Sequence, residues 1–116
     1  MFTLSIRELD LLEFFGSTHV SRCFGTEWFD SDSLYRHQQP GGITVTCAIM
    51  PIHKDARITL SVNSETVYDW QVTALADIKF DREQDCLSFT TQSGDLLTLC
   101  IRPSIVVRHN CKFLAE

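Results

Sequence analysis

The stretch "ITVTCAIMP", residues 43–51, decides the fold. Ile43, Val45, Cys47 and Ile49 alternate with Thr44, Thr46, Ala48 and Met50, and Pro51 ends the run. Successive side chains of an extended chain leave on opposite faces, so this pattern describes a strand with one face covered and the other toward water. A helix would need its apolar residues three and four apart. The same period continues downstream in Ile58, Leu60 and Val62, in Tyr68, Trp70 and Val72, and in Ile78 and Phe80. It returns in Leu87 and Phe89, in Leu97, Leu99 and Ile101, and in Ile105, Val107 and His109. The runs are separated by turn-forming stretches: "NSE" at 63–65, "DREQD" at 81–85, and "QSGD" at 92–95, where Gly94 can take a positive φ. Links this short join neighbouring antiparallel strands.

Upstream, the period changes. "LSIRELDLLEFFG", residues 4–16, carries a capping-box pattern in Ser5 and Glu8, and Leu4 and Leu9 are placed to form the matching hydrophobic staple. Ile6, Leu9, Leu12 (or its neighbour Leu11) and Phe15 recur at helical spacing, and Gly16 can supply the left-handed residue that ends a helix. The spacing predicts a helix over 6–15 that packs Leu9, Leu12 and Phe15 inward. The expected fold is α+β: an N-terminal helix packed on a curved, mainly antiparallel sheet of six or seven strands, all in one domain over 1–116. A small barrel or sandwich with the helix plugging one end is the alternative architecture.

Between helix and strands lies "GTEWFDSDSLYRHQQPGG", residues 25–42, with neither period. It places Trp28, Phe29 and Tyr35 among Glu27, Asp30 and Asp32. A connection of this length without regular structure is uncommon unless it does something. Two readings follow: a lid that covers the sheet with its aromatics, or a binding surface that uses Trp28 and Tyr35 as anchors beside the acids. Both hold together if Phe29 points inward while Trp28, Asp30 and Asp32 face out.

The chain has 116 residues and a formal charge of −5. Residues 63–95 are its acidic part, with seven acids against Lys79 and Arg82. Nucleic-acid binding needs Lys and Arg for the phosphates, so an acidic chain is poorly suited to it and better suited to a basic protein. Asp81, Glu83 and Asp85 crowd one hairpin tip, either as a solvated turn or as an anionic knob for such a partner. Arg102, Arg108 and Lys112 form the one basic grouping, expected on the solvent face of the last strand. No apolar run approaches the ~20 residues of a membrane helix. Arg7 and Glu8 interrupt the place where a secretory signal would need an apolar core, so a soluble cytoplasmic protein is expected.

Five cysteines are present with no C-x-x-C pair, which predicts buried, reduced thiols, with a disulfide framework as the lesser reading. His19 with Cys23, and His109 with Cys111, have ligand types at usable spacing, but each pair stands alone and a closed zinc site needs four ligands. "DSDSLYRHQQPGG" opens like a calcium loop and then lacks the later ligands and the central glycine. No nucleophile elbow or phosphate loop is present. The expectation is no enzyme, no metal and no cofactor.

The opening helix ending in "LLEFFG", the aromatic–acidic "EWFDSD" and the strands from "ITVTCAIM" to "IVVRHNCKF" resemble in arrangement the small immunity proteins of bacterial polymorphic-toxin and contact-dependent growth inhibition systems. That resemblance implies a cytosolic, non-enzymatic protein that binds a cognate toxin domain, often a basic nuclease, and blocks its active site. Such families share no catalytic residues to carry over. The partner-binding set expected here is Glu27, Trp28, Asp30, Asp32, Tyr35, Asp81, Glu83 and Asp85. Two other readings are a ligand-binding or enzymatic barrel whose pocket is lined by Phe15, Trp70, Phe80 and Phe89, and a subunit that oligomerises through an edge strand at 104–109.

Overall fold

The computed structural model describes residues 4–16, 21–24 and 31–110. Among these residues one helix, α1 (Glu8–Phe15), precedes nine strands: β1 (Ser21–Phe24), β2 (Ser31–Gln39), β3 (Ile43–Met50), β4 (Asp55–Val62), β5 (Glu65–Val72), β6 (Leu75–Asp81), β7 (Cys86–Thr91), β8 (Leu96–Cys100) and β9 (Val106–Asn110). Consecutive strands pair antiparallel, as the short links require, but they form two sheets of order β1-β2-β3-β4-β5 and β6-β7-β8-β9. The expected single sheet of six or seven strands is therefore corrected to a two-sheet sandwich.

The division falls at Thr73 and Ala74, between β5 and β6. Ala74 takes φ 52°, and the corner is pinned on both sides. Leu75 N–H donates to the Lys54 carbonyl at 2.8 Å, and Gln92 N–H donates to the Ala74 carbonyl at 2.8 Å. From this corner the second sheet runs across the first. Its β9 meets β5, where His109 lies edge-on to Trp70 at 4.3 Å and hydrogen-bonds the Tyr68 hydroxyl. Its far end reaches β2, where the Gln39 side chain donates to the Ile101 carbonyl at 2.9 Å.

The core lies between the sheets. Val45, Cys47, Ile49, Ala56 and Ile58 from the first meet Ile78, Leu87, Phe89, Leu97 and Leu99 from the second, all fully buried. Each fully buried aliphatic or aromatic side chain is worth about 1.5–3 kcal/mol. All of these but Ala56 are residues that the alternation at 43–50 and its repeats place on the covered face. Pro51 does end β3, and the turns at 63–64, 82–85 and 92–94 stand where the sequence puts them. Asn63 and Ser64 both take positive φ, the conformation that joins strands through a tight two-residue loop.

The helix is shorter and rotated relative to expectation. Its N-cap is Arg7, whose backbone N–H donates to the Asp10 carboxylate at 2.9 Å, so Asp10 closes the first turn in place of Ser5 and Glu8. Ser5 instead donates its backbone N–H to Asp77 at 2.7 Å, tying the segment before the helix to β6. Leu11, Phe14 and Phe15 are buried, whereas Leu9 is 66% exposed and makes no staple with the buried Leu4. At about 100° per residue, Leu9 and Leu11 stand on nearly opposite sides of a helix, so only one could face the core. Gly16 ends the helix at φ 75° as expected, its N–H on the Leu12 carbonyl. The helix closes the gap between the two sheets: Phe15 stacks on Tyr35 of β2 at 5.3 Å, and Phe14 meets Phe80 of β6 edge-on at 5.7 Å.

Residues 31–39, read from sequence as part of an irregular connection, form the long strand β2. Its inward positions are Ser33, Tyr35 and His37, so the covered face carries no run of aliphatic residues to announce a strand.

Candidate functional site

The expected binding residues that are described fall on both sheets and in the core. Glu27, Trp28, Asp30 and Phe29 lie outside the described residues. Asp32 is half-exposed on β2, in the first sheet. Tyr35, expected as a surface anchor, is fully buried against Phe15, which takes its ring out of reach of a partner. Asp81, Glu83 and Asp85 sit at the β6–β7 hairpin of the second sheet.

That hairpin is less anionic than its sequence. The Asp81 carboxylate accepts the backbone N–H groups of Glu83 and Gln84 at 3.0 and 3.2 Å, which shapes the turn. Arg82, within the same tip, donates to Asp10 at 2.6 Å and reaches Glu13 of the helix. Asp85 accepts two N–H groups of Arg102 at 2.6 and 3.0 Å, and this partner holds its carboxyl below the usual range. A further Arg102 N–H caps the helix by donating to the Phe14 carbonyl at 2.7 Å. Arg102 is therefore a structural tie, while Lys112, grouped with it in sequence, lies outside the described residues. Glu83 stands exposed at the tip.

The four aromatics expected to line a pocket fill the core instead: Phe15 and Phe89 are buried, and Trp70 and Phe80 pack against the same cluster. Cys47 is fully buried, and burial pushes its thiol up to about 12, so it is neutral and unreactive at physiological pH. Cys86 and Cys100 stand opposite one another on β7 and β8 and are joined as a disulfide, which corrects the expectation of reduced thiols at these two positions. Their direct opposition across neighbouring strands, invisible in their spacing, is what permits the bond. His37 is half-buried, and desolvation followed by the charge of Arg102 lowers its pKa. Among the described residues no group of three or more His, Cys, Asp or Glu side chains is placed to hold a metal ion.

A concavity does exist, on the outer face of the first sheet. It is an open cleft of about 500 Å³. Arg36 and Gln38 of β2, Thr44 and Thr46 of β3, and Ser61 of β4 form its floor, while Gly42, Asn63 and Ser64 form its rim. Register explains the gathering: Arg36 stands opposite Thr46, and Gln38, Thr44 and Ser61 form one row across three strands. The rim is where two hairpins touch. Asn63 N–H donates to the Gly42 carbonyl at 2.9 Å, and a Cβ on Gly42 would lie 2.3 Å from the Asn63 side-chain oxygen. These residues are the polar half of the same alternation that identifies the strands, and a polar face reads from sequence only as solvent-exposed.

No family model matches the chain, and no curated protein matches it. Solved structures do provide a counterpart. The fold is similar to that of a chain from a toxin–immunity complex. That structure is a contact-dependent growth inhibition toxin–immunity protein complex from Klebsiella pneumoniae 342, with a TM-score of 0.79 and 20% identity over 95% of this chain and 98% of the other. The likeness runs through nearly the whole of both chains, so the arrangement of helix and two sheets is shared as a unit. The order of helix and strands read from the sequence thus has a counterpart in fold in a chain of such a complex.

Proposed function

We propose that this protein is a non-enzymatic immunity protein that binds a cognate toxin of the contact-dependent growth inhibition kind and neutralises it. The observation that carries the reading is the near-complete fold match to a chain of a toxin–immunity complex. The disposition of reactive groups supports it. Cys47 is sealed in the core, His109 is bonded to Tyr68, and Asp10 and Asp85 are held by arginines, so each is committed to holding the fold.

The finer reading is that the partner is a basic toxin domain, such as a nuclease, whose active site this protein occludes in the cytoplasm of the cell it protects. A charge of −5 favours encounter with a cationic surface. Glu27, Trp28, Asp30 and Asp32, with Glu83 at the exposed hairpin tip, are the residues assigned to that contact. Binding of nucleic acid is not part of the reading, because an acidic chain repels phosphates. No helix among the described residues is long and apolar enough to cross a membrane.

Co-expression with the toxin domain encoded beside this gene tests the proposal. Cells carrying both survive and the two proteins co-purify; equal killing with and without this chain ends the reading.

A further inference from the structure

We propose that the cleft around Arg36 is a recognition site for an acidic segment of a partner polypeptide, with the Arg36 guanidinium gripping a carboxylate. The inference stands apart from the toxin-neutralising reading, since it concerns a different face and any partner that presents such a segment.

Arg36 is exposed and is the one charged residue of the cleft. Among the described residues it makes no ion pair. The reason lies in the rows of the sheet. Arg36, Thr46, Thr59 and Asp69 stand side by side on β2, β3, β4 and β5, so two strands separate Arg36 from the acid in its own row. Asp69 is in any case taken by Arg57, which donates from Nε at 2.8 Å and from a second nitrogen beside it. The guanidinium of Arg36 therefore keeps its planar set of donors available, and that set matches a carboxylate with two parallel bonds.

The surroundings favour a polypeptide over a free ion. Any anion meets only one cation here and must approach a chain of charge −5, so charge alone holds neither a free ion nor an acidic segment. A segment of protein adds contacts that repay this. The amides of Gln38 and Asn63 donate and accept, as peptide groups do, and the hydroxyls of Thr44, Thr46 and Ser61 do the same. Val67, the extra residue of the bulge beside Ser61, is 62% exposed and offers an apolar contact next to the polar floor. Gly42 against Asn63 fixes the rim, so the cleft is present before anything binds.

The test uses the whole chain, isotope-labelled, titrated with a short capped peptide of glutamate and threonine. A lysine–threonine peptide of equal length and sodium phosphate alone are the comparison arms. The expected result is saturable shifts confined to the cleft backbone and the Arg36 Nε–H, weakened at least about tenfold in Arg36→Gln and retained in Arg57→Gln. Arg36 is exposed, so its replacement leaves the fold intact, which the unperturbed spectrum of the variant verifies. The proposal is overturned if the acidic peptide produces no shifts, if Arg36→Gln binds it as well as the parent, or if the lysine peptide binds equally. It is also overturned if phosphate alone reproduces the saturable shifts, which would make this a site for free oxoanions.

Discussion

Arg82 donates to the carboxylate of Asp10 at 2.6 Å, across 72 residues of sequence, and so ties the β6–β7 hairpin to the only helix in the described chain. Asp10 is nearly buried, and it also closes the first helical turn through the Arg7 N–H. One carboxylate thus holds the helix start and its docking together.

That arrangement has a pH signature. Arg7 is the largest cause, with Arg82 adding to it against the cost of burial, and together they bring the Asp10 carboxyl down to about 2. A folded-state value below the unfolded one means that the stabilisation is fully present above about pH 4 and is lost as pH falls toward 2. Allowing for the exposed half of the arginines, it is worth about 1–2 kcal/mol. Urea unfolding at pH 7 and at pH 2.5 should show Asp10→Asn destabilised at the first and by only about a third as much at the second. Equal differences at both would remove the ion pair as the cause.

The rotated helix makes a second prediction. Phe14→Ala should cost about 3–5 kcal/mol, because it empties a site walled by Phe15 and Phe80. Leu9→Ala should stay within about 0.5 kcal/mol, because the side chain already faces water. Thermal melts of the two variants compare the faces directly, and the reverse order would restore the stripe that the sequence suggests.

The disulfide between Cys86 and Cys100 closes a separation of 14 residues, which corresponds to about 3 kcal/mol of stabilisation. Reduction should lower the melting temperature without abolishing the fold, since Leu87 and Leu99 hold the same strands together from the core side. Peptide mapping under non-reducing conditions should link the two cysteines. Cys47 should resist alkylation until the protein unfolds, because its thiol is buried and neutral.

Gly42 and Gly41 offer a matched pair. Both have positive φ, so alanine strains either backbone by about 1–2 kcal/mol. Only Gly42→Ala also drives the Asn63 side chain aside, whereas Gly41→Ala meets open space. Similar stability losses with amide shifts at Asn63 and Ser64 in Gly42→Ala alone would show that this contact shapes the cleft rim. Undisturbed shifts there would show that it does not.

Much of the β architecture was legible because strand alternation is a local property. Val45, Cys47 and Ile49 declare their covered face through spacing alone, and Asn63–Ser64 and Gly94 mark turns through the backbone conformations they tolerate. β2 escaped notice because its inward face carries Ser33, Tyr35 and His37, and Tyr35 looks like a surface anchor until Phe15 is stacked on it. The candidate site was less legible still. Charged residues at 81–85 look like an anionic knob in one dimension, yet in three Arg102 pairs onto Asp85 of that tip and Arg82 reaches from it to Asp10 of the helix. The polar cleft left no mark beyond the hydrophilic phase of three strands.

The sequence by itself determined one amphipathic helix, a succession of short antiparallel strands and the turns between most of them, because each depends on neighbours a few residues away. Only the tertiary structure decided that the strands divide at Thr73–Ala74 into two sheets, that Leu11 rather than Leu9 faces inward, and that Arg36 stands alone among hydroxyls and amides. Those outcomes depend on which distant groups meet: the corner pinned to Lys54, the carboxylate of Asp10 drawn to Arg82, and the pairing of Asp69 with Arg57. A period of two tells a side chain which face to take, but the partner on that face is chosen by the packing of the whole chain.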